Sequence, residues 1–382
     1  MTTVYIIRHA EAEGNYFRRI QGQYDGGVTP RGRRQIEALA ERFKDVQIDA
    51  LYSSDLKRTM ATAGAITKYH DIPLVPDPRL REINLGVWED VPWGNVGYDQ
   101  PEQLIYFSSE PLKWDIPGGE SFPHLQERVY SAIMELAAKH DGQTIAVVCH
   151  GMAIRSTVCR IQGVPLENIS QVAHGDNTCV AKIRVENGAV ELDYFNDNSH
   201  LEGGDLSTFA RQNWWKRKDS LDGSNLRLIP MDIEADGELY KQCYADAWKT
   251  AHGSLKGFDG EIYLKCIKRI AAEEPQAIMK VFHEGDRFAG IVELDPNRGV
   301  EQGAGWISFC YMTPEMRHRG LGNQLIGHAV SFFRARGRRT LRLHVAVTNK
   351  EAISFYEHND FRVIAREAGV GSDLFLMETE IK

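Results

Sequence analysis

The sequence lacks long apolar runs, paired cysteines and an excess of positive charge. No run approaches the roughly 18 apolar residues that a membrane-spanning helix needs. None of the six cysteines belongs to a C-x-x-C pair or a zinc-ligand pattern. The opening MTTVYIIRHA has no basic segment before a long apolar stretch, so it does not resemble a signal peptide. We therefore predict a cytoplasmic protein with reduced thiols and no membrane partner.

Composition and length predict a globular protein of two domains. The chain has 382 residues, of which 42% are hydrophobic and 26% charged, and one domain usually needs about 100 to 200 residues. The net charge of −8, from 45 basic and 53 acidic residues, argues against a nucleic-acid partner. One basic cluster fits a solvated helix end and could in part serve an anionic ligand; it comprises Arg334, Arg336, Arg338, Arg339 and Arg342.

Strand and helix signals alternate in both halves of the chain, which predicts two layered α/β domains. A stretch rich in Gly, Ser, Asn and charged residues separates them, with a short helical piece around Thr208–Arg217. Trp214 and Trp215 in this piece pack against one domain or dock between the two. The predicted organisation is a first domain over 1–200, a linker over 201–225 and a second domain over 226–382.

Four separate motifs in the first domain carry residues suited to phosphate chemistry. RHAEAEGN follows the opening strand, SSDLKR begins a helix after a strand, LREINLGVWED is an apolar loop, and VVCHG ends another strand. Ligands of open α/β sheets bind outside the carboxyl ends of the strands. We expect the reactive residues of these motifs to meet there, namely Arg8, His9, Arg58, Glu82 and His150.

This ordered set resembles the histidine phosphatase superfamily, which includes the cofactor-dependent phosphoglycerate mutases. The match runs through most of residues 3–198 and also includes QGQYDGGVTPRG and PGGES. Ala10 departs from the usual glycine, and Asp90 stands where glycine is common. The resemblance implies a three-layer α/β/α phosphoglycerate mutase-like fold.

The resemblance also implies a role for each residue of the set. His9 takes the phosphoryl group as a neutral nucleophile, and Arg8, Arg58 and His150 bind and stabilise its oxygens. Glu82, whose apolar loop would raise its pKa, protonates the leaving group and then activates water. Asn15 donates to the phosphate from the side. No metal is required by this chemistry, and the substrate is a small phosphomonoester.

Phosphatase and mutase activities remain to be separated. By resemblance, mutases carry a segment after the catalytic glutamate that contacts a phosphoacid with basic residues. Here Asp90–Gly119 holds one basic residue, Lys113, among several aromatic residues. An aromatic, nearly neutral lid favours a phosphatase, with a mutase as the alternative.

The second domain contains RHRGLGNQLIGHA, a glycine turn between a strand and a helix. Backbone N–H groups of such a turn suit a pyrophosphate. With TLRLHVAVTNKEAISFYEHNDF, it resembles the GNAT superfamily of N-acetyltransferases over about residues 226–380, with Asp360 in place of the usual glycine. The resemblance implies a mixed α/β fold and acetyl-coenzyme A as the acyl donor.

The GNAT resemblance implies a cofactor site and an acid. Tyr356 would protonate the departing thiolate, and the acceptor would be a small amine. The base is not identifiable, and the candidates are Glu293, Glu315 and His344. The residues expected to bind acetyl-coenzyme A are Cys310, Met312, Arg317, His318, Arg319, Gly320, Leu321, Gly322 and Asn349.

These features together predict a bifunctional enzyme, a phosphatase fused to an N-acetyltransferase. Two other interpretations stay open: a phosphatase whose second domain senses acetyl-coenzyme A, and a scaffold with two inactive sites. Intact reactive residues in both motif sets argue against the scaffold. The sequence names neither the phosphorylated substrate nor the amine, and it leaves the oligomeric state open.

Overall fold

The computed structural model describes residues 1–202, 205–211, 223–369 and 372–381. The chain forms two compact units: Met1–Val91 with Val96–Ser220, and Pro92–Asn95 with Leu221–Lys382. Trp214 and Trp215, for which the linker composition predicted a packing or docking role, lie outside the described residues. Among the described helices, none has the length and apolar character needed to cross a membrane.

The first unit is built on a mixed sheet whose six described strands run in the order β3-β2-β4-β1-β5-β6. The first four strands in this order are parallel to one another. Strand β5 runs antiparallel to β1, and β6 runs antiparallel to β5. The strands are β1 (Thr2–Arg8), β2 (Ala50–Ser53), β3 (Leu74–Pro76), β4 (Thr144–Cys149), β5 (Val180–Glu186) and β6 (Ala189–Asp197).

Helices cover both faces of this sheet. On one face, Leu39 and Phe43 of α2 and Ile66 of α3 pack against Ile7 and Val148 of the sheet. Side chains alternate along a strand, so the fully buried Ile6 faces the other way, where α6 and α7 contact β1. The helices are α1 (Glu13–Phe17), α2 (Pro30–Phe43), α3 (Lys57–Thr67), α4 (Trp93–Asp99), α5 (Pro101–Ser109), α6 (Phe122–Lys139), α7 (Gly151–Ile161) and α8 (Thr208–Arg211).

The second unit is a sheet of seven described strands in the order β12-β13-β11-β10-β9-β8-β7. Its strands are β7 (Leu226–Pro230), β8 (Ile278–His283), β9 (Arg287–Asp295), β10 (Ala304–Met312), β11 (Thr340–Ala346), β12 (Arg362–Glu367) and β13 (Leu374–Glu380). Its helices are α9 (Ile233–His252), α10 (Gly260–Glu273), α11 (Asn323–Arg334) and α12 (Lys350–His358).

The predicted α/β class of both domains is confirmed. The helix after the predicted glycine turn, α11, begins at Asn323, because Gly320 has φ +71° and cannot belong to a right-handed helix. Helix α9 begins at Ile233. Asp232 caps it by accepting from the N–H groups of Glu234 and Ala235.

Candidate functional site

Three parallel strands of the first unit end at one edge of the sheet. His9 follows β1, His150 follows β4 and Ser54 follows β2, and β4 lies between the other two strands. The ring centroids of His9 and His150 are 5.3 Å apart. The two histidines that the sequence predicted to meet are therefore neighbours.

The loop after β1 sets the tautomer of His9. The Nδ1 atom lies 2.7 Å from the carbonyl oxygen of Ala10. Since a carbonyl oxygen can only accept, Nδ1 carries the proton and Nε2 keeps its lone pair. Burial, followed by the positive charges of Arg58 and Arg8, lowers the pKa of His9 well below its usual value. The imidazole is therefore neutral at pH 7 and nucleophilic at Nε2.

Two arginines beside the histidine pair are anchored by backbone carbonyls. Arg58 is fully buried and donates to the oxygens of Gly22 at 2.6 Å and Tyr24 at 3.0 Å. Arg8 donates to the oxygen of Gly175. Among the described residues, the buried Nε atom of each arginine has no acceptor. Burial lowers the pKa of Arg58 to about 10, so it remains a cation that fits a phosphoryl group.

Glu82 lies against the first turn of α7. Its Oε2 accepts from the N–H of Met152 at 2.9 Å, and its Oε1 accepts from the N–H of Ala153 at 2.9 Å and of Ile83 at 3.0 Å. Burial raises the pKa of Glu82, in the direction that its apolar loop predicted, although these N–H groups and Arg58 oppose the shift. A carboxyl group with a raised pKa is suited to donate a proton near neutral pH.

His150 and Asn15 are held by polar neighbours. His150 is fully buried, its Nε2 lies 2.9 Å from the hydroxyl of Ser54, and its Nδ1 has no partner among the described residues. Burial lowers its pKa, with Arg58 as the next cause. The amide oxygen of Asn15 accepts from the N–H of Ala12 at 3.1 Å. Donation from Asn15 to a phosphate remains a prediction.

In the second unit, β10 and β11 separate along their length. They pair in parallel from Ala304 opposite Thr340 to Ile307 opposite Leu343, and no further pair is formed along the described strands. A register shift against β9 falls between Ile307 and Phe309. The backbone edge of β10 after this shift includes Cys310 and Met312, two residues of the predicted cofactor site.

The predicted glycine turn lies between the end of β10 and the start of α11. The described structure offers no backbone or side-chain acceptor for the N–H groups of residues 318–322. His318 and Gly320 have φ of 57° and 71°, and a Cβ atom on Gly322 would meet the ring of Phe355 at 3.0 Å. Leu321 is buried beneath the turn. The turn therefore presents consecutive N–H groups at a helix N-terminus, which suits a pyrophosphate.

The side chains of Arg317 and Arg319, which the sequence assigned to the cofactor site, make contacts within the protein. Arg317 donates its Nε to the oxygen of Met312 at 3.0 Å and its Nη2 to Asp246 of α9 at 2.9 Å. Arg319 contacts the sulfur of Met316. Arg317 therefore fixes the end of β10 to α9, which the sequence motif alone did not indicate.

Tyr356 on α12 reaches the strand that the sequence assigned to the cofactor. Its hydroxyl lies near the thiol of Cys310, and burial raises the pKa of this tyrosine well above its usual value. The side chain of Asn349 accepts from the N–H of Ala352 at 3.1 Å and so caps α12. A role of Asn349 toward a ligand remains a prediction.

The arginine cluster near the end of α11 does not meet the glycine turn. This helix of 12 residues is about 18 Å long, and the cluster follows its far end. Arg336 pairs with Glu274 at 2.5 Å and Arg342 pairs with Glu378 at 2.6 Å. These ion pairs fit the interpretation of a solvated helix end better than that of a ligand site.

Comparison with known proteins identifies both units. Residues 4–198, about half of the chain, match the family model of the histidine phosphatase superfamily (branch 1). The chain belongs to the histidine phosphatase superfamily. Residues 238–361 match the acetyltransferase (GNAT) family. The chain is thus an enzyme that joins a histidine phosphatase domain to an N-acetyltransferase domain, and both predicted resemblances are confirmed.

Relatives of the phosphatase domain include phosphatases and mutase-like proteins. The metal-independent phosphoserine phosphatase of Arabidopsis thaliana is 34% identical over 204 residues, covering 53% of this chain and 84% of that protein. Phosphoglycerate mutase-like protein 4 of the same plant is 36% identical over 203 residues, covering 52% and 86%. The structure of Bacillus stearothermophilus YhfR is 31% identical with a TM-score of 0.52, covering 53% of this chain and all of that chain.

Sequence reasoning missed the residue that supports Arg58. The carboxylate of Glu89 accepts from the N–H groups of Gly22 at 3.2 Å, Gln23 at 2.8 Å, Tyr24 at 2.8 Å and Leu85 at 2.9 Å. The loop that Glu89 folds supplies the two carbonyl oxygens that hold Arg58. The Trp-Glu pair of the phosphatase motif was the available signal, but its role depends on a contact 65 to 67 residues away.

The aromatic residues after Glu82 only partly form a lid. Phe107 and Trp114 are buried, and their rings pack against each other and against Trp88 and Phe122 at centroid distances of 5.5 to 6.0 Å. These two residues anchor the segment in the core of the phosphatase domain. The aromatic composition of Asp90–Gly119 therefore reflects packing as well as any contact with substrate.

Proposed function

We propose that the phosphatase domain hydrolyses small phosphomonoesters through a phosphohistidine on His9 and requires no metal ion. The observation that supports this proposal most directly is the hydrogen bond from His9 Nδ1 to the backbone oxygen of Ala10. This bond leaves Nε2 as a neutral nucleophile beside Arg8 and Arg58. Because a phosphomonoester is close to doubly negative, a neutral nucleophile is repelled less than an anion. The name of the metal-independent phosphoserine phosphatase relative supports hydrolysis of a phosphomonoester without a metal ion.

The reaction consists of two displacements at phosphorus. Nε2 of His9 forms a bond to phosphorus while the ester P–O bond breaks, and Glu82 gives its proton to the departing alkoxide. Glu82, now a carboxylate, takes a proton from water, whose oxygen attacks phosphorus as the P–N bond breaks. Arg8, Arg58 and His150 stabilise the charge on the phosphoryl oxygens in both steps. Inorganic phosphate leaves and His9 is again neutral.

Hydrolysis is favoured over mutase chemistry by the surroundings of the segment after Glu82. Its one basic residue, Lys113, is exposed and pairs with Glu110 at 2.5 Å. Arg19, a basic residue near this segment, is paired with Asp90 at 2.6 Å. Neither cation is arranged to recognise a free carboxylate of a phosphoacid, which supports release of phosphate from 3-phosphoglycerate with little 2-phosphoglycerate.

Phosphate release in excess chelator tests this proposal. Phosphoserine, p-nitrophenyl phosphate and 3-phosphoglycerate are offered to the parent chain, to His9→Ala and to His124→Ala, an exposed histidine of the same domain. We expect equal activity in the parent and His124→Ala and near-complete loss in His9→Ala. Full activity of His9→Ala would reject the phosphohistidine, and efficient interconversion of the phosphoglycerates primed by a bisphosphate would establish a mutase.

We further infer that the acetyltransferase domain binds acetyl-coenzyme A and transfers its acetyl group to a small primary amine. The edge of β10 that does not pair with β11 and the N–H groups of residues 318–322 would hold the donor, which supplies a thioester that an amine can attack. Tyr356 holds a proton beside Cys310 on β10. The phenol of this tyrosine is protonated at neutral pH and can give its proton to a departing thiolate, although its raised pKa makes it a weaker acid than an ordinary tyrosine.

Among the three candidate bases, the surroundings of Glu293 suit the role best. Glu293 is buried, accepts from the hydroxyl of Tyr240 at 2.8 Å and has a pKa raised by burial to about 7. It stands opposite Phe309 of β10. By contrast, the pKa of Glu315 is lowered by hydrogen bonding, and His344 is paired with Glu367 and has a pKa lowered by burial.

Release of free thiol across a panel of amines, with calorimetry of acetyl-coenzyme A binding, tests the second activity. We expect thiol release with at least one small primary amine, and a loss of this release in Glu293→Gln with binding retained. His9→Ala should acetylate normally, because His9 lies in the phosphatase domain. Tight binding without thiol release, together with a phosphatase rate that follows the acetyl-coenzyme A concentration, would instead support the sensor.

A further inference from the structure

Asp176, in the loop before β5, is buried with 3% exposure, and its carboxylate accepts five hydrogen bonds within the described residues. Its Oδ1 accepts from the N–H groups of Asn177 at 2.8 Å, Thr208 at 3.1 Å and Phe209 at 3.3 Å. Its Oδ2 accepts from the hydroxyl of Ser207 at 2.6 Å and the amide of Asn198 at 3.3 Å. A buried carboxylate is tolerated only with such partners, and three of these donors lie beyond the phosphatase family match.

The residues on either side of Asp176 hold the nucleophile and its arginine. The oxygen of Gly175 accepts from the guanidinium of Arg8. The side-chain amide of Asn177 donates to the oxygen of His9 at 3.0 Å, and the N–H of Thr178 reaches the same oxygen at 3.3 Å. A shift of Asp176 would therefore displace both Arg8 and His9.

A second buried residue, Gln35, connects Leu206 and Thr208 to the chain that follows His9. Gln35 is fully buried, and its side-chain oxygen accepts from the N–H of Glu11, two residues after His9, at 2.7 Å. Its amide nitrogen donates to the oxygen of Leu206 at 2.8 Å and the hydroxyl of Thr208 at 3.1 Å. Residues 206–209 thus contact supports on both sides of His9.

We propose that residues 206–209 support the phosphatase site and that Asp176 is a positioning residue for His9 and Arg8. The inference rests on the proposed phosphohistidine chemistry. If the segment is displaced, Asp176 loses three donors while it remains buried, so the loop 175–178 must rearrange. The rate of phosphoryl transfer then depends on how this segment is held, although it contributes no atom to the reaction.

The test is a rapid-quench measurement on the full chain with radiolabelled phosphoserine, with enzyme in excess over substrate. When the folded enzyme saturates the substrate, the rate constant describes only competent molecules, so a smaller folded fraction leaves it unchanged. For Asp176→Ala we expect phosphohistidine to form at least about tenfold more slowly, because small displacements of reacting groups are costly. The matched control is Asp205→Ala, which lies directly before this segment in an exposed pair with Arg34, and it should keep the parent rate.

A second variant covers the case in which Asp176→Ala fails to fold. Asp176→Asn keeps the oxygen that accepts three N–H groups and replaces the oxygen that accepts from Ser207 and Asn198, so we expect a decrease of about threefold. A parent rate constant in Asp176→Ala, or in Asp176→Asn if only that variant folds, would overturn the positioning role. Absence of phosphohistidine in the parent would instead contradict the proposed function.

Discussion

The carboxylate of Glu82 accepts the backbone N–H of Met152 at 2.9 Å, so the proposed acid caps the helix that begins directly after His150. Two opposing influences act on its pKa. Burial raises the pKa, and the helix N–H groups and Arg58 lower it, with burial the larger effect. The site thus combines an acid with a raised pKa and a histidine, His9, with a lowered one.

These two shifts predict the pH dependence of phosphohistidine formation. His9 has a folded-state pKa well below its usual value, so its lone pair stays available at pH 6 and it should cause no acid limb near pH 6.5. Glu82 must be protonated to act, so the rate should fall as pH rises through its raised pKa. Quench-flow rates from pH 5 to 9 measure both effects, and an acid limb with a midpoint near pH 6.5 in the parent chain would contradict the first.

Glu82→Gln should discriminate between leaving groups. Formation of phosphohistidine from phosphoserine should slow by about 10²- to 10⁴-fold, because its alkoxide needs a proton. Formation from p-nitrophenyl phosphate should change much less, since its phenolate leaves without one. The labelled enzyme should then accumulate, because water attack also needs Glu82. Equal losses for both substrates in the labelling step would argue against an acid role.

Glu89→Ala should weaken phosphate binding without removing any group that touches the substrate. Four backbone N–H groups lose their acceptor, and the oxygens of Gly22 and Tyr24 then hold Arg58 less firmly. We expect a higher KM, a lower kcat and a loss of stability of more than about 1 kcal/mol. Denaturant unfolding and steady-state kinetics measure these effects. Glu37→Ala, which removes an exposed partner of Lys68, is the control and should change neither.

Tyr356→Phe should separate acetyl transfer from binding. The substitution keeps the ring that packs against Phe361 and removes the hydroxyl that reaches Cys310. We expect slower thiol release with nearly unchanged affinity for acetyl-coenzyme A. Calorimetry and a thiol assay on the same preparation measure the two quantities. A loss of affinity equal to the loss of rate would assign Tyr356 to binding only.

Gly320→Ala should weaken acetyl-coenzyme A binding. Open space surrounds the position, but its φ of +71° disfavours alanine by about 1 kcal/mol or more, so the turn should shift its N–H groups. Gly303→Ala is a matched control, with φ +65° and open space, outside the turn. Both variants should lose similar stability, and only Gly320→Ala should raise the Kd. Equal Kd values would remove the turn from the binding site.

Several features of both sites were predictable because local sequence encodes them. A strand followed by Arg-His, and a strand followed by His-Gly, place His9 and His150 at the same sheet edge once the strands are parallel neighbours. The supports of these residues were not predictable in the same way. Glu89 and Asp176 hold loops by accepting from backbone N–H groups. Almost every residue type has a backbone N–H group, so the sequence of a loop does not show that it donates to a distant carboxylate.

The sequence by itself determined the two α/β domains, the reactive residues and the glycine turn, because strand ends, helix starts and turns depend on nearby residues. Only the tertiary structure decided how these residues are held. It placed Glu82 on the first turn of α7, used Arg317 to join β10 to Asp246, and connected residues 206–209 to the loops around His9. Such contacts join residues far apart in the chain, and the buried carboxylates among them, Glu82 and Asp176, are tolerated because backbone and side-chain donors satisfy them.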